Sequence, residues 1–310
     1  MTPPQLPSPM PGAMLWRSSA SGNGYENYYS GCRPGLFIFL IDQSHAMADR
    51  LRNGETIARN VAQAINGWLQ NLVIGCSFAA GIRDCANIAV LGYRSDEHGN
   101  PIIEPALIGP LAGRELVSIS EVAASPARID NVAAYMQDED TGEMIEMPQH
   151  VPAWIDPVAI GKSPLCAAIA RACRIVDEWI PRFPDTFPPL VVNVSSGSFS
   201  DGTPWPFADA LKRRGTRDGH VLFMNTYVSA RDADATLFPH TVRSMHDVSA
   251  STLFACSSYL PLELLHRMRV MGHQFPDQAK CVALNADLTP SLFRVLPFPV
   301  SEPPWERAAR

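Results

Sequence analysis

The chain has 310 residues, 46% of them hydrophobic and 18% charged, with a formal net charge of -6. That length suits one large domain or two small ones with ample core, and the charge gives no electrostatic case for nucleic acid or an anionic membrane. No apolar run approaches the ~20 residues of a membrane span, and residues 1–30 lack the basic start and apolar centre of a secretory leader. The seven cysteines Cys32, Cys76, Cys85, Cys166, Cys173, Cys256 and Cys281 are scattered, with no C-x-x-C pair. The expectation is therefore reduced thiols in a cytoplasmic protein, with neither a zinc site nor a disulfide framework.

Residues 1–33 are rich in Pro, Ser, Gly and Asn without apolar periodicity, which predicts a disordered or loosely packed tail. A first strand at 36–41 reads as a continuous apolar run, Leu36-Phe37-Ile38-Phe39-Leu40-Ile41, ending in Asp42. Such a run is what a parallel strand buried on both faces requires. A helix follows at 55–72, where Ile57, Val61, Ile65, Trp68, Leu69 and Leu72 make one stripe at three- and four-residue spacing. The next strand is 86–93. Residues 95–155 differ: short β-like pieces at Ile102-Ile103, Leu116 to Ile119, Ala133 to Met136 and Met144 to Met147 are separated by turn signals, which predicts a β-hairpin insertion. Asp138, Glu139, Asp140, Glu143 and Glu146 give its last hairpin an acidic, solvated tip without EF-hand spacing.

A strong helix is predicted at 164–180, with Ser163 as N-cap, Pro164 in the first turn, and Leu165, Ile169, Ala172, Ile175, Val176 and Trp179 facing the core. A strand at 190–195, a short helix near 206–214, a strand at 220–228, a helix at 261–271 and a strand-like piece at 280–285 complete the pattern, and residues 297–310 form a Pro-rich tail. Alternating strands and helices predict an α/β fold: a Rossmann-like, doubly wound, mostly parallel sheet flanked by helices, with a β-rich insertion.

Three pieces fall where such sheets bind ligands, at the carboxyl ends of strands. They are Asp42-Gln43-Ser44-His45-Ala46-Met47, Gly161-Lys162-Ser163-Pro164-Leu165, and Ser195-Ser196-Gly197 followed by Ser200-Asp201-Gly202. In this order and spacing the chain resembles the von Willebrand factor A domain family over about 34–296. That family carries a metal-ion-dependent adhesion site, usually for Mg²⁺, built from D-x-S-x-S, a Thr in a G-x-T-P-L-like loop, and an Asp in a T-D-G turn. The resemblance implies metal contacts at Asp42, Ser44, Ser163 and Ser196, with His45 and Asp201 as partner-binding candidates. The departures weaken the site. Ala46 stands where a second Ser is usual and Ser196 where an Asp is usual. One carboxylate and up to three hydroxyls remain, a poor set for a cation that favours carboxylates, so weak or no Mg²⁺ binding is expected. Read without the family, Asp42 and Ser44 cap a turn, Ser163 caps a helix, and the later serines satisfy a tight turn.

Other chemistry fits less well. Gly161-Lys162-Ser163 ends like a P-loop, but Asp156 stands where its first Gly belongs. The serine turn at 195–200 lacks the G-x-S-x-G order of a nucleophile elbow. Cys166 and Cys173 are expected to pack as small apolar groups. The expectation is a non-enzymatic interaction or scaffold module that binds a partner at the C-terminal edge of the sheet. The alternative is Mg²⁺-dependent gripping of an acidic partner residue. Leu253 to Pro261 and Ala283-Leu284-Asn285-Ala286-Asp287 are similar to bacterial cytosolic A domains of the tellurite-resistance type. That resemblance implies a Ser/Thr kinase and a metal-dependent protein phosphatase as partners in a signalling or stress-response module.

Overall fold

The computed structural model describes residues 24–137, 144–230, 235–242, 247–270 and 272–285, with the backbone alone for 132–137 and 144–148. The expected C-terminal tail at 297–310 and the acidic tip at 138–143 lie outside the described residues.

In chain order, β1 (Gly35–Asp42) is followed by α1 (Ile57–Gly75), β2 (Ala86–Ser95), β3 (Pro101–Pro105), β4 (Val117–Ser118) and α2 (Ile119–Ala124). Then come β5 (Arg128–Gln137), β6 (Met144–Ala153), α3 (Leu165–Trp179), β7 (Leu190–Ser195) and α4 (Trp205–Lys212). The last elements are β8 (Leu222–Tyr227), β9 (Thr236–Leu237), α5 (Val248–Cys256), α6 (Leu262–Val270) and β10 (Val282–Leu284). One sheet runs β9-β10-β8-β7-β1-β2-β3, with β4 also on β2. The five central strands are parallel, and β9, β3 and β4 pair antiparallel at the margins. The expected fold class holds. From β1 the chain crosses to β2 on one side and later returns to β7 on the other, so the order reverses between β1 and β7. In open α/β sheets that reversal opens a crevice at the strands' carboxyl ends.

All eight residues of β1 are buried because both faces of the sheet are covered. Phe37, Phe39 and Ile41 pack with α1 and α6; Leu36, Ile38 and Leu40 pack with α3, α4 and α5. Trp68 of α1 sets its ring edge-on to Phe37 and Phe39 at 5.2 and 4.5 Å. Burying each such side chain contributes roughly 1.5–3 kcal/mol. Threading β1 between two cores leaves its end, Asp42, little room to move.

Several expectations are corrected. The β-rich insertion stands, with a difference in detail: β3 and β4 join the main sheet on β2, and α2 takes up Ile119, the end of the β-like piece read at Leu116 to Ile119. Ser118 and Glu121 form a capping box there, a local signal that outweighs the β-branched Ile119. Within the insertion, β5 and β6 form a separate two-stranded ribbon. Of the expected tail, residues 24–33 pack against the body. Tyr29 is buried edge-on to Phe37 and Phe187, and Asp218 accepts the backbone N–H groups of Glu26 and Asn27. Helix α5 had no clear sequence signal, because its run Val248-Ser249-Ala250-Ser251-Thr252 combines residues of modest helix propensity.

Cys76 and Cys85 are joined as a disulfide with Cα atoms 6.5 Å apart, which overturns the expectation of reduced thiols throughout. The short antiparallel pair Ser77–Phe78 and Gly81–Ile82 folds the intervening chain back and brings the two cysteines together. Cys32, Cys166, Cys173, Cys256 and Cys281 are free, and Cys166 and Cys173 are buried in the apolar core. Among the described residues no helix is long and apolar enough to cross a membrane.

Candidate functional site

The sequence-selected loops meet at the crevice between β1 and β7. Backbone hydrogen bonds zip them together: Ile160 N–H donates to the Gln43 carbonyl (2.6 Å), His45 N–H to the Gly161 carbonyl (2.9 Å), and Ser200 N–H to the Ser163 carbonyl (2.8 Å). Gly161 turns at φ +76°, and a Cβ there would run into the Ser95 carbonyl oxygen. Gly197 turns at φ +89°, where a Cβ would lie 2.8 Å from the Tyr227 ring and strike Ser249. Both positions exclude side chains on steric as well as conformational grounds.

Asp42 lies at the centre, 1% exposed. Its Oδ1 accepts the Ser44 N–H at 2.9 Å. Its Oδ2 accepts the hydroxyls of Ser195 at 3.0 Å, Ser163 at 3.1 Å and Ser196 at 3.4 Å. Burial pushes the Asp42 carboxyl above the ordinary aspartate range, while the Ser44 N–H and the neighbouring serine hydroxyls pull the other way. Ser44 Oγ is buried beside this carboxylate, with no hydrogen-bond partner of good geometry among the described residues. An orphaned buried hydroxyl costs of order 1–3 kcal/mol unless something meets it. Among the described residues no cluster of three or more His, Cys, Asp or Glu exists, so a cation at Asp42 would rely on one carboxylate and on hydroxyls.

Each candidate from the sequence has a definite place. Asp42, Ser44, Ser163 and Ser196 come together. His45 is exposed at the rim, held by its backbone. Asp201 is engaged elsewhere: its carboxylate accepts the N–H groups of Cys166 (3.1 Å) and Ala167 (2.8 Å), capping α3. Ser163 is therefore not the helix cap that its sequence position predicts. Pro164 occupies that position with no side-chain cap, and the Ser163 hydroxyl turns to Asp42 instead. A cap supplied from 35 residues downstream leaves no local pattern.

Sequence reading missed Ser195 as a partner of Asp42 and missed the polar chain beneath it. The Tyr93 hydroxyl donates to Asn193 Oδ1 (2.8 Å), Asn193 Nδ2 to Asn225 Oδ1 (2.9 Å), Asn225 Nδ2 to Ser257 Oγ (2.9 Å), and Ser257 Oγ to the Leu253 carbonyl (2.7 Å). All four side chains are buried, and burial together with the Asp42 charge pushes the Tyr93 phenol well above its ordinary value. The available signal was an Asn inside each of two apolar runs, Leu190 to Val194 and Leu222 to Thr226, at directly paired positions.

No family model matches the chain, and no curated protein matches it. Among solved structures it is similar to the pilus adhesin SpaC from Lactobacillus rhamnosus GG, at 11% identity and TM-score 0.41 over 75% of this chain and 28% of that one. It is also similar to the human COPII-coat protein Sec24c, at 9% identity and TM-score 0.34 over 74% and 28%. A third is the manganese-loaded TRAP protein of Plasmodium vivax, at 11% identity and TM-score 0.30 over 63% and 57%. The chain spans less than two thirds of each of these structures. At these TM-scores the likenesses carry no argument about function.

Proposed function

We propose that this chain is a non-enzymatic protein-interaction module that holds its partner at the C-terminal end of the sheet, over Asp42, Ser44, Ser163 and Ser196. The observation that supports this is the convergence of three loops on one buried carboxylate at the topological switch point, with His45 exposed at the rim. The hydroxyls of Ser163, Ser195 and Ser196 donate to Asp42 rather than to a general base, which favours binding over bond cleavage. The finer reading, a scaffold in a bacterial signalling or stress-response system with a kinase and a phosphatase as partners, rests on the sequence resemblance alone. Affinity capture with the full chain as bait tests the surface. His45 and Ser198, the residue after Gly197, are both exposed on the loops around Asp42; a partner held by the wild type and lost by His45→Glu with Ser198→Glu supports the proposal, and undiminished capture by that variant overturns it.

A second reading, Mg²⁺-assisted binding of an acidic partner group, is favoured by the orphaned Ser44 Oγ. The donor set suits a hard cation in kind, since carboxylate and hydroxyl oxygens are what Mg²⁺ takes. Asp42, Ser44 and Ser163 would hold it, and the cation would supply positive charge for a partner carboxylate. A ligand that binds only the folded chain raises the unfolding midpoint. A rise in Tm on moving from EDTA to millimolar Mg²⁺ or Mn²⁺, absent in Asp42→Ala, supports this reading. No shift in the wild type removes it and leaves the cation-independent surface.

A further inference from the structure

We propose that the groove between the start of α4 and the outer face of α5 is the docking site of this chain's own segment 286–310. The groove is an open cleft of about 400 Å³ walled by Thr203, Trp205, Val248, Ser251, Thr252 and Ala255. Trp205 is 54% exposed and Val248 82% exposed, two large apolar side chains at one cleft. Among the described lining residues the one charged side chain is Asp247, and its carboxylate accepts the Tyr227 hydroxyl (2.7 Å) and the Ser249 N–H (2.7 Å). Apolar contact is what remains to be gained there.

The point at which the chain leaves the sheet names the occupant. β10 ends at the same end of the sheet as β8, with Leu284 paired to Tyr227. The Asn285 N–H donates to the Tyr227 carbonyl (2.8 Å), and Asn285 Oδ1 accepts the Ser229 N–H (3.2 Å). Tyr227 thus holds both the last described residue, through its carbonyl, and the cap of α5, through its hydroxyl. From Asn285, at about 3.3 Å per extended residue, a segment of this length has ample reach to the groove. Its composition suits the cleft. Leu288, Leu292, Phe293, Leu296, Phe298, Val300 and Trp305 alternate with Pro290, Pro297, Pro299, Pro303 and Pro304. Pro-rich extended segments dock aromatic-lined grooves because little conformational entropy is left to lose. Tethering adds an effective concentration of order millimolar, so even a weak contact holds. The docking is independent of what binds at Asp42.

Hydrogen exchange by mass spectrometry on the full chain tests this. In the wild type, amides between 288 and 305 should exchange about tenfold or more slower than unstructured chain, at a rate independent of protein concentration. Trp205→Ala and, separately, Thr252→Arg should restore fast exchange there and speed exchange at 248–252. Thr252 is half-exposed on α5, so its variant keeps the fold, which far-UV circular dichroism checks. Full-rate exchange in the wild type overturns the proposal. So does protection that both folded variants retain. Protection that grows with concentration assigns the groove to a second copy and overturns docking in cis.

Discussion

At the scale of single residues, Asp42 decides how the site responds to pH. Its carboxyl is raised by burial above the ordinary aspartate range, so in the window between the unfolded and the folded titration the folded chain binds the proton more firmly than the unfolded chain. Stability therefore falls as pH rises through that window and stays lower above it. Asp42→Asn should flatten this part of the profile, while Asp218, also raised by burial, keeps its own contribution. Urea midpoints between roughly pH 4 and 8 measure it; identical profiles for wild type and variant would refute it. Gly161→Ala tests the loop itself. A Cβ there meets the Ser95 carbonyl at φ +76°, and strain of order 1–3 kcal/mol is expected. The drop in unfolding midpoint should be accompanied by loosening of the Asp42 loop. The hydroxyls around Asp42 were legible in the sequence because their short motifs mark strand ends. Ser195 as an Asp42 partner was not, since its selection depends on the register of β7 against β1.

Among the elements, helix ends carry the testable energetics. Asp201 caps α3 from a distant loop, so Asp201→Ala should cost about 0.5–2 kcal/mol without touching Asp42. Chemical denaturation measures the cost, and an unchanged midpoint would show the cap to be idle. At the other end of α5, Lys280 Nζ donates to the carbonyls of Phe254 (3.0 Å), Ser257 (3.3 Å) and Ala255 (3.4 Å), with the Phe254 and Tyr259 rings 4.9 and 4.7 Å away. Burial holds this ammonium below the usual lysine value. Lys280→Met keeps the stem but leaves the carbonyls unmet, for an expected loss of about 1–3 kcal/mol. Scanning calorimetry should read that as a fall of several degrees, and Lys280→Arg should recover part of it. The long apolar runs and stripes of β1, α1, α3 and β7 were legible because burial on two faces, or on one stripe, imposes a period. Helix α5 was not, because its place is secured by Asp247, Lys280 and packing on β8 rather than by its own residues.

For the whole molecule, the disulfide and the N-terminal strap tie outlying chain to the core. The Cys76–Cys85 link closes a short loop, and reduction should cost about 2–3 kcal/mol. Thiol titration of the denatured, unreduced chain should count the five free cysteines; a count of all seven would show that the link does not form. Tyr29, 2% exposed among Phe37 and Phe187, makes the strap part of the core. Tyr29→Ala should cost about 3–5 kcal/mol and open residues 24–33 to limited proteolysis.

The sequence by itself determined the doubly wound class and the strand ends that carry Asp42, Ser44, Ser163 and Ser196. Periodicity and the abrupt change from apolar run to polar turn are local properties, and they survive in one dimension. Only the tertiary structure decided what those residues do. Strand register placed Ser195 on Asp42, a remote loop brought Asp201 to the end of α3, and a two-residue hairpin paired Cys76 with Cys85. It also left Ser44 Oγ buried without a hydrogen-bond partner among the described residues. Each of these joins residues whose spacing along the chain has no period, so the geometry of the folded sheet alone could select them.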